Sequence, residues 1–195
     1  MKRLIFILLT LTLCLVLSGG AYAQRYLHGQ KGIQVTAGTV NGFVLDTDNE
    51  NFAFHAGIAF STYTQNGNRW VFGGEYLEKR YPYKGLSLPQ SQFTAQAGYY
   101  LKFLSDGNKT LFFSLGVSLL AGYETVNWNE KRLFDGATIR NKDGFLYGGA
   151  ITLEMEVYLT DWIALIANVR ERLLSGSSVG KFNTQLGLGF KFIIY

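Results

Sequence analysis

The chain has 195 residues, enough for one domain, and its small, scattered net charge of +4 argues against nucleic-acid binding. Only 16% of the residues are charged and 15% are aromatic, a balance typical of a membrane protein. Beyond the N-terminal segment no apolar run reaches the roughly 18 residues of a spanning helix, which argues against the helical class of membrane protein.

The N-terminal segment, residues 1–23, has the composition of a secretory signal peptide. It has a basic start, an apolar stretch over 4–17 and an A-x-A sequence at 21–23, which predicts cleavage before Gln24. A lipoprotein cysteine and an uncleaved anchor are the two alternatives, but Cys14 lies inside the apolar stretch and follows a leucine rather than a small residue. Because Cys14 is the only cysteine, the mature protein has neither disulfides nor thiol chemistry.

Residues 24–195 form a single all-β domain in this interpretation. Apolar residues alternate with small or polar ones, as they do where the two faces of a strand meet different surroundings. In the last strand Phe182, Leu188 and Phe192 fall on one face, and Gln185 and Lys191 fall on the other. The pattern predicts eight strands, near residues 31–40, 52–63, 69–80, 91–104, 110–124, 144–158, 162–173 and 182–195.

The connections between these strands alternate in length. Those at 64–68, 105–108 and 159–161 are short, with Asn-Gly and Asp-Gly turn sequences in the first two. Those at 41–51, 81–90, 127–143 and 174–181 are longer and more polar. Short periplasmic turns and long outer loops are typical of outer-membrane barrels. The sequence therefore predicts an eight-stranded antiparallel up-and-down outer-membrane β-barrel of the OmpA and OmpX type, with its apolar face on outer-membrane lipid and its last strand paired with its first.

Aromatic residues gather near the strand ends, which predicts the two girdles of a membrane barrel. On the turn side they are Trp70, Phe103, Trp162, Phe192 and Tyr195, and on the loop side they are Phe54, Tyr76, Phe93, Tyr123, Tyr147 and Phe182. The competing hypothesis is a soluble barrel such as a lipocalin, whose apolar face lines a ligand cavity. The other face of these strands carries few Lys and Glu residues for a solvated exterior, which favours the membrane barrel.

The last strand also carries a candidate assembly signal. Gln185, Gly187, Phe190 and Phe192 match the order polar, x, Gly, x, x, aromatic, x, aromatic, which resembles the terminal signal of bacterial outer-membrane barrels. The match predicts recognition by the barrel assembly machinery.

Charged residues on the polar face point into the barrel and predict an ionic core. Glu154 and Glu156 share that face of the sixth strand, and Arg170 and Arg172 share it in the seventh. If 159–161 is the turn, Ala150 lies opposite Arg170, and its small size leaves room for the arginine to reach the glutamates. Glu75, Lys102 and Lys191 are candidates to join them. Eight strands leave little lumen, so a filled interior is favoured over a polar pathway or gate.

The sequence offers little for catalysis. No cluster of His and Cys has metal-ligand spacing, so we predict neither a metal nor a cofactor. A lipid-modifying enzyme embedded in the membrane would need a histidine with a serine nucleophile and an acidic partner, and His55, Ser61 and Glu75 are the candidates. No spacing singles them out, so a packing histidine in a non-enzymatic protein is the favoured interpretation.

The longest predicted loop, residues 127–143, carries Trp128, Lys131, Arg132 and Phe134. One interpretation is an ordinary solvated loop. The alternative is a contact surface for another component of the cell envelope.

Five stretches resemble the TraO family of conjugal transfer proteins, which conjugative transposons encode. They are NGNRWVFGGEYLEKRYPY (66–83), QFTAQAGYYLKFLS (92–105), LAGYETVNW (120–128), DGFLYGGAITLE (143–154) and SSVGKFNTQLGLGFKF (177–192). The resemblance covers the leader and essentially the whole mature chain, and it supplies no catalytic residues. It implies a role in DNA transfer between cells, with other proteins of the conjugation apparatus as partners. A general small barrel for adhesion or envelope integrity is the alternative.

Overall fold

The computed structural model of this protein describes residues 28–41, 53–84, 86–133, 135–139, 143–177 and 180–194. The predicted signal peptide and Tyr195 lie outside these residues, so the cleavage site stays a prediction. In the described part of the chain, no helix is long and apolar enough to cross a membrane.

The described residues form eight antiparallel strands that pair in sequence order, and the last strand pairs with the first. The sheet is therefore a closed up-and-down barrel, which confirms the predicted fold. The strands are β1 (Lys31–Val40), β2 (Ala53–Tyr63), β3 (Arg69–Tyr83), β4 (Leu86–Ser105), β5 (Leu111–Val126), β6 (Gly144–Tyr158), β7 (Ile163–Ser175) and β8 (Phe182–Ile194). Two short 3-10 turns, Gln65–Gly67 and Asn127–Asn129, lie in the connections.

The barrel is polar inside and apolar outside, the reverse of a soluble protein. In β8, Gln185 and Lys191 are buried in the interior, whereas Leu188 and Phe190 are 65% and 49% exposed on the outer wall. The other strands present similar rows of exposed aliphatic and aromatic side chains. Such a wall is unfavourable in water and suits lipid. The structure therefore favours the membrane barrel over the soluble barrel.

The seam between β1 and β8 closes through a pair of glycines. Gly38 lies opposite Gly187, and a Cβ on Gly38 would lie only 2.8 Å from the Cα of Gly187. A side chain at position 38 would therefore collide with the β8 backbone, so this point of the seam requires glycine.

The prediction of a loop at 81–90 is wrong. β3 continues to Tyr83, which pairs with Leu86 of β4, whereas the outermost described pairs to the flanking strands are at Lys79 and Gln90. Residues 80–89 thus form a two-stranded ribbon that extends beyond the barrel. The ribbon contains both prolines of the chain, Pro82 and Pro89. Proline is typical of loops, but a sheet edge also accepts it where no neighbouring strand needs its N–H group.

The register predicted between β6 and β7 is wrong by two residues. Arg170 lies opposite Thr152, and Ala150 lies opposite Arg172. The last pair before the turn is Tyr158 with Ala164, so the connection is two residues longer than the alternation indicated.

Candidate functional site

The middle of the barrel interior is organised around one carboxylate, Glu75 of β3. Arg170 and Arg172 of β7 donate to it from their Nη1 atoms at 3.1 and 2.9 Å, and Nε2 of Gln185 in β8 donates at 2.7 Å. All four side chains are buried. We call this group the Glu75 cluster. The cluster links β3 to β7 and β8 across the barrel. These two strands form no backbone hydrogen bonds with β3.

Polar side chains support both arginines of the Glu75 cluster. Arg170 also donates to the hydroxyls of Thr152 at 3.0 Å and Tyr100 at 3.2 Å. Arg172 donates to Thr94 at 3.3 Å. Buried guanidinium groups are stable only when their donors find acceptors, so these hydroxyls stabilise the arrangement.

A second ionic group, the Arg69 cluster, lies nearer the turn end of the barrel. Arg69 of β3 pairs with Glu154 and with Glu156, the latter at 3.3 Å. Lys191 of β8 pairs with Glu156 and lies 3.6 Å from Glu154. The Arg69 guanidinium also stacks over the ring of Tyr100, 5.0 Å from its centroid. Two cations thus meet two carboxylates in a buried and balanced group.

The structure assigns different partners to the four predicted core residues. Glu154, Glu156, Arg170 and Arg172 are all buried in the interior. The two arginines pair with Glu75, whereas the two glutamates belong to the Arg69 cluster. Arg69 was not predicted as a member, although the alternation of β3 puts it on the same face as Glu75.

A third buried polar group, around Glu124 of β5, lies at the loop end of the interior. Glu124 accepts hydrogen bonds from Nε2 of Gln90 at 2.7 Å, Nε2 of Gln92 at 2.8 Å and the hydroxyl of Ser177 at 2.8 Å. Glu124 was not among the predicted interior residues. Its position on the same strand face as Ser114 and Ser118 is a signal that could have found it.

Buried polar and charged side chains of the Glu75 cluster, the Arg69 cluster and the group around Glu124 occupy the described interior. A cavity between the Glu75 cluster and the Gln34 and His55 side chains has a volume of about 10 Å³, which is room for about one water molecule. A barrel packed in this way has no space for a solute or a nucleic-acid strand.

The residues considered for catalysis do not assemble into a triad. His55 lies 3.8 Å from Glu75, and its other ring nitrogen lies 3.4 Å from the Leu186 carbonyl oxygen. Ser61 donates instead to the Gly32 carbonyl oxygen at 3.3 Å. Ser61 is six residues further along the same strand, a separation of about 20 Å. Within the described residues there is also no group of three or more His, Cys, Asp or Glu side chains that could hold a metal ion.

The ribbon is fastened to the connection between β5 and β6. Nζ of Lys84 lies 2.7 Å from Oδ2 of Asp135, and the Tyr83 hydroxyl donates to the same oxygen at 3.1 Å. The bond from Lys84, with that from the backbone N–H of Ala137, lowers the pKa of Asp135 to about 2. Asp135 in turn raises the pKa of Lys84. We call this contact the Lys84–Asp135 clamp.

The predicted contact residues of that connection occupy different surroundings. Lys131 and Arg132 are exposed, and Arg132 forms an isolated β-bridge with Thr138. Trp128 lies on the outer wall with its ring centroid 6.5 Å from that of Phe93. Phe134 lies outside the described residues.

The candidate assembly signal spans both faces of β8. Gln185 is buried in the Glu75 cluster, and Gly187 forms the closing seam with Gly38. Phe190 and Phe192 are 49% and 46% exposed on the outer wall. Recognition by the assembly machinery stays a prediction.

Solved structures of small outer-membrane barrels have a similar fold. Neisserial surface protein A is 13% identical, with a TM-score of 0.53 over 85% of this chain and 97% of that one. Ail, the attachment invasion locus protein of Yersinia pestis, solved with the heparin analogue sucrose octasulfate, is 12% identical, with a TM-score of 0.51 over 86% of this chain and 100% of that one. At these identities the likeness concerns the fold alone.

Comparison at the sequence level gives one family. The model described as conjugative transposon protein TraO matches residues 27–194. No curated protein sequence matches the chain.

Proposed function

Since the chain belongs to the TraO family of conjugative transposon proteins, we propose that it is a non-enzymatic outer-membrane component of a conjugative transfer apparatus. The observation that carries this proposal is the family match over residues 27–194. The apolar outer wall supports the outer membrane as its location, with outer-membrane lipid as its surroundings.

The proposed role is to bind or anchor other proteins of the apparatus rather than to conduct DNA. The described interior supports this choice, because the buried ion pairs of Glu75 and Arg69 cross the barrel where a channel would run. The separation of Ser61 from His55 supports a role without catalysis.

The contact surface that we propose is at the loop end of the barrel. There the ribbon and the connection between β5 and β6 are held together by the Lys84–Asp135 clamp. Lys131 and Arg132 are exposed beside it. A surface that is fixed before binding loses less conformational entropy when a partner docks, so the clamp suits a recognition role.

The proposed route to this location begins with export and cleavage before Gln24. The barrel assembly machinery then recognises Gln185, Gly187, Phe190 and Phe192 in β8. Mature protein that starts at Gln24 and fractionates with the outer membrane, with a gel mobility that changes on heating, is the expected result. Recovery in the soluble periplasm without that change would overturn the location.

Deletion of the gene from donor cells tests the function. We expect transfer from the donor to be abolished or strongly reduced and to return when the gene is supplied in trans. Copurification from outer membranes of donor cells should identify the partner proteins.

Surface adhesion or envelope integrity is the second candidate function. The exposed Lys131 and Arg132 favour it, since Ail was solved with a sulfated heparin analogue and cations bind such groups. Unchanged transfer from the deletion strain, with altered cell attachment or detergent sensitivity, would favour this alternative over the conjugation proposal.

A further inference from the structure

A row of aromatic rings follows the outer wall at the loop end of the barrel. Phe54 of β2 lies 5.9 Å from Tyr76 of β3, and Tyr76 lies 5.0 Å from Phe93 of β4, between ring centroids. The next ring is Trp128, 6.5 Å from Phe93. It comes from the connection after β5 rather than from a strand. The connection therefore folds back to add a tryptophan to the wall.

The backbone that delivers Trp128 has an unfavourable conformation. Asn127, Trp128 and Asn129 have φ angles of 50°, 51° and 67°, three successive residues in the left-handed region without a glycine. Asparagine tolerates this region, but a bulky residue such as tryptophan rarely enters it. Two hydrogen bonds of 2.9 Å close the turn. The side-chain Nδ2 of Asn127 donates to the backbone carbonyl of Glu130, and the backbone N–H of Glu130 donates to the backbone carbonyl of Asn127. Such strain persists where the surroundings fix it, which is common at functional positions.

Trp128 is 62% exposed although it contacts Phe93. Phe93, its neighbour in the row, is 48% exposed, and Tyr123, which lies opposite Phe93 in β5, is 49% exposed. Both belong to the wall that faces lipid. An indole ring has an apolar body and a polar N–H group, so it is most stable at the level of the lipid headgroups. The row is continuous with the lipid-facing wall, which identifies lipid rather than a protein as the partner of this ring.

We propose that Trp128 inserts into the headgroup region of the outer leaflet and holds the connection between β5 and β6 against the membrane surface. The left-handed turn Asn127–Asn129 aims the ring at the bilayer, and its hydrogen bonds fix that direction. The inference rests on the proposed membrane location of the barrel.

Tryptophan fluorescence tests the insertion, because the mature protein has three tryptophans, Trp70, Trp128 and Trp162. Trp70→Phe with Trp162→Phe leaves Trp128 as the only tryptophan in the refolded mature protein. In phosphatidylcholine vesicles with brominated acyl chains, we expect quenching of Trp128 that is strongest when the bromines are close to the headgroup. The emission should also lie at a shorter wavelength than that of indole in water.

A matched variant separates this inference from the membrane location. Trp128→Phe with Trp162→Phe leaves Trp70, which is 48% exposed on the outer wall. Quenching of Trp70 without quenching of Trp128 overturns the anchor and leaves the barrel in the bilayer. If neither is quenched, the location and the anchor both fail.

Proteolysis provides a second measurement that does not depend on fluorescence. Lys131 and Arg132 are exposed trypsin sites close to Trp128. In vesicle-embedded protein, Trp128→Ala should raise the cleavage rate at these sites by roughly tenfold, since the connection opens more often without its anchor. Trp162→Ala removes a 66% exposed tryptophan at the turn end and should leave the rate unchanged. Equal rates in the native protein and the Trp128→Ala variant contradict the proposal.

Discussion

At the scale of single residues, the Glu75 carboxylate forms ion pairs with two buried guanidinium groups and links strands from opposite sides of the barrel. Glu75→Gln keeps the size of the side chain but removes the charge that Arg170 and Arg172 share. We expect a loss of roughly 3–5 kcal/mol in the free energy of unfolding, the usual cost of breaking a buried pair. Urea unfolding of the protein in lipid vesicles measures it.

Glu130→Gln is the control for this change, because Glu130 is exposed on the connection after β5. Its effect should stay within about 0.5 kcal/mol. Equal stability of the two variants would mean that water in the interior screens the Glu75 cluster.

The sequence could predict which charged residues face inward but not which of them meet. Alternation alone assigns Glu154 and Arg170 to the interior. Their partners lie on strands that are distant in sequence: Arg69 of β3 contacts Glu154 of β6, and Glu75 of β3 contacts Arg170 of β7. Such contacts depend on the curvature and register of the whole barrel, which no local pattern encodes.

At the scale of the structural elements, the ribbon and the connection after β5 act together through the Lys84–Asp135 clamp. Because the pKa of Asp135 is lowered to about 2, its charge stabilises the clamp fully above the ordinary pKa of a carboxyl group. This stabilisation is lost only as pH falls toward about 2. Because the pKa of Lys84 is raised, its charge stabilises the clamp fully below the ordinary pKa of a lysine. This stabilisation is lost only when pH rises above the raised pKa. The clamp is therefore closed across the neutral range.

Lys84→Met should raise the pKa of Asp135 toward the ordinary value of about 3.9. The Lys84 bond is the largest cause of the lowered pKa, so the pKa should rise although the Ala137 and Tyr83 bonds remain. A carboxyl titration by NMR in detergent micelles measures it, with Lys131→Met as the control. An unchanged pKa would assign the effect to the Ala137 N–H group.

Strand ends were predicted less well than strands. Alternation identified all eight strands, but the ribbon was missed because its two prolines and its polar residues are also typical of loops. Pairing with β4 alone keeps residues 80–83 in a strand. The β6–β7 register failed for a related reason, since alternation has a period of two and cannot detect a shift of two residues.

The aromatic residues of β8 should matter for assembly rather than merely for contact with lipid. Phe192→Ala removes one residue of the predicted signal, and Phe182→Ala removes a phenylalanine at the other end of the same strand. Both side chains are exposed on the wall, at 46% and 67%. In cells we expect Phe192→Ala to lower the amount of assembled, heat-modifiable barrel more than Phe182→Ala does. Equal losses of assembled barrel in the two variants would mean that Phe192 acts only through ordinary contact with lipid.

At the scale of the whole molecule, the filled interior and the apolar wall leave the two ends of the barrel as the surfaces that water-soluble partners can reach. The turn end has short connections, whereas the loop end carries the ribbon and the connection fastened to it. The loop end therefore offers the larger surface for the partner protein that we propose.

Replacement of residues 131–139 by a short Gly-Ser linker tests that surface. We expect the barrel to assemble normally, because the change keeps every strand and the interior clusters. Transfer from donor cells should fall, since the linker removes Lys131, Arg132 and the Asp135 side of the clamp. Heat-modifiable mobility measures assembly, mating frequency measures transfer, and Lys181→Ala, an exposed cation on another loop-end connection, is the control that should transfer normally. Full transfer with the linker would exclude this connection and direct attention to the periplasmic turns or the outer wall.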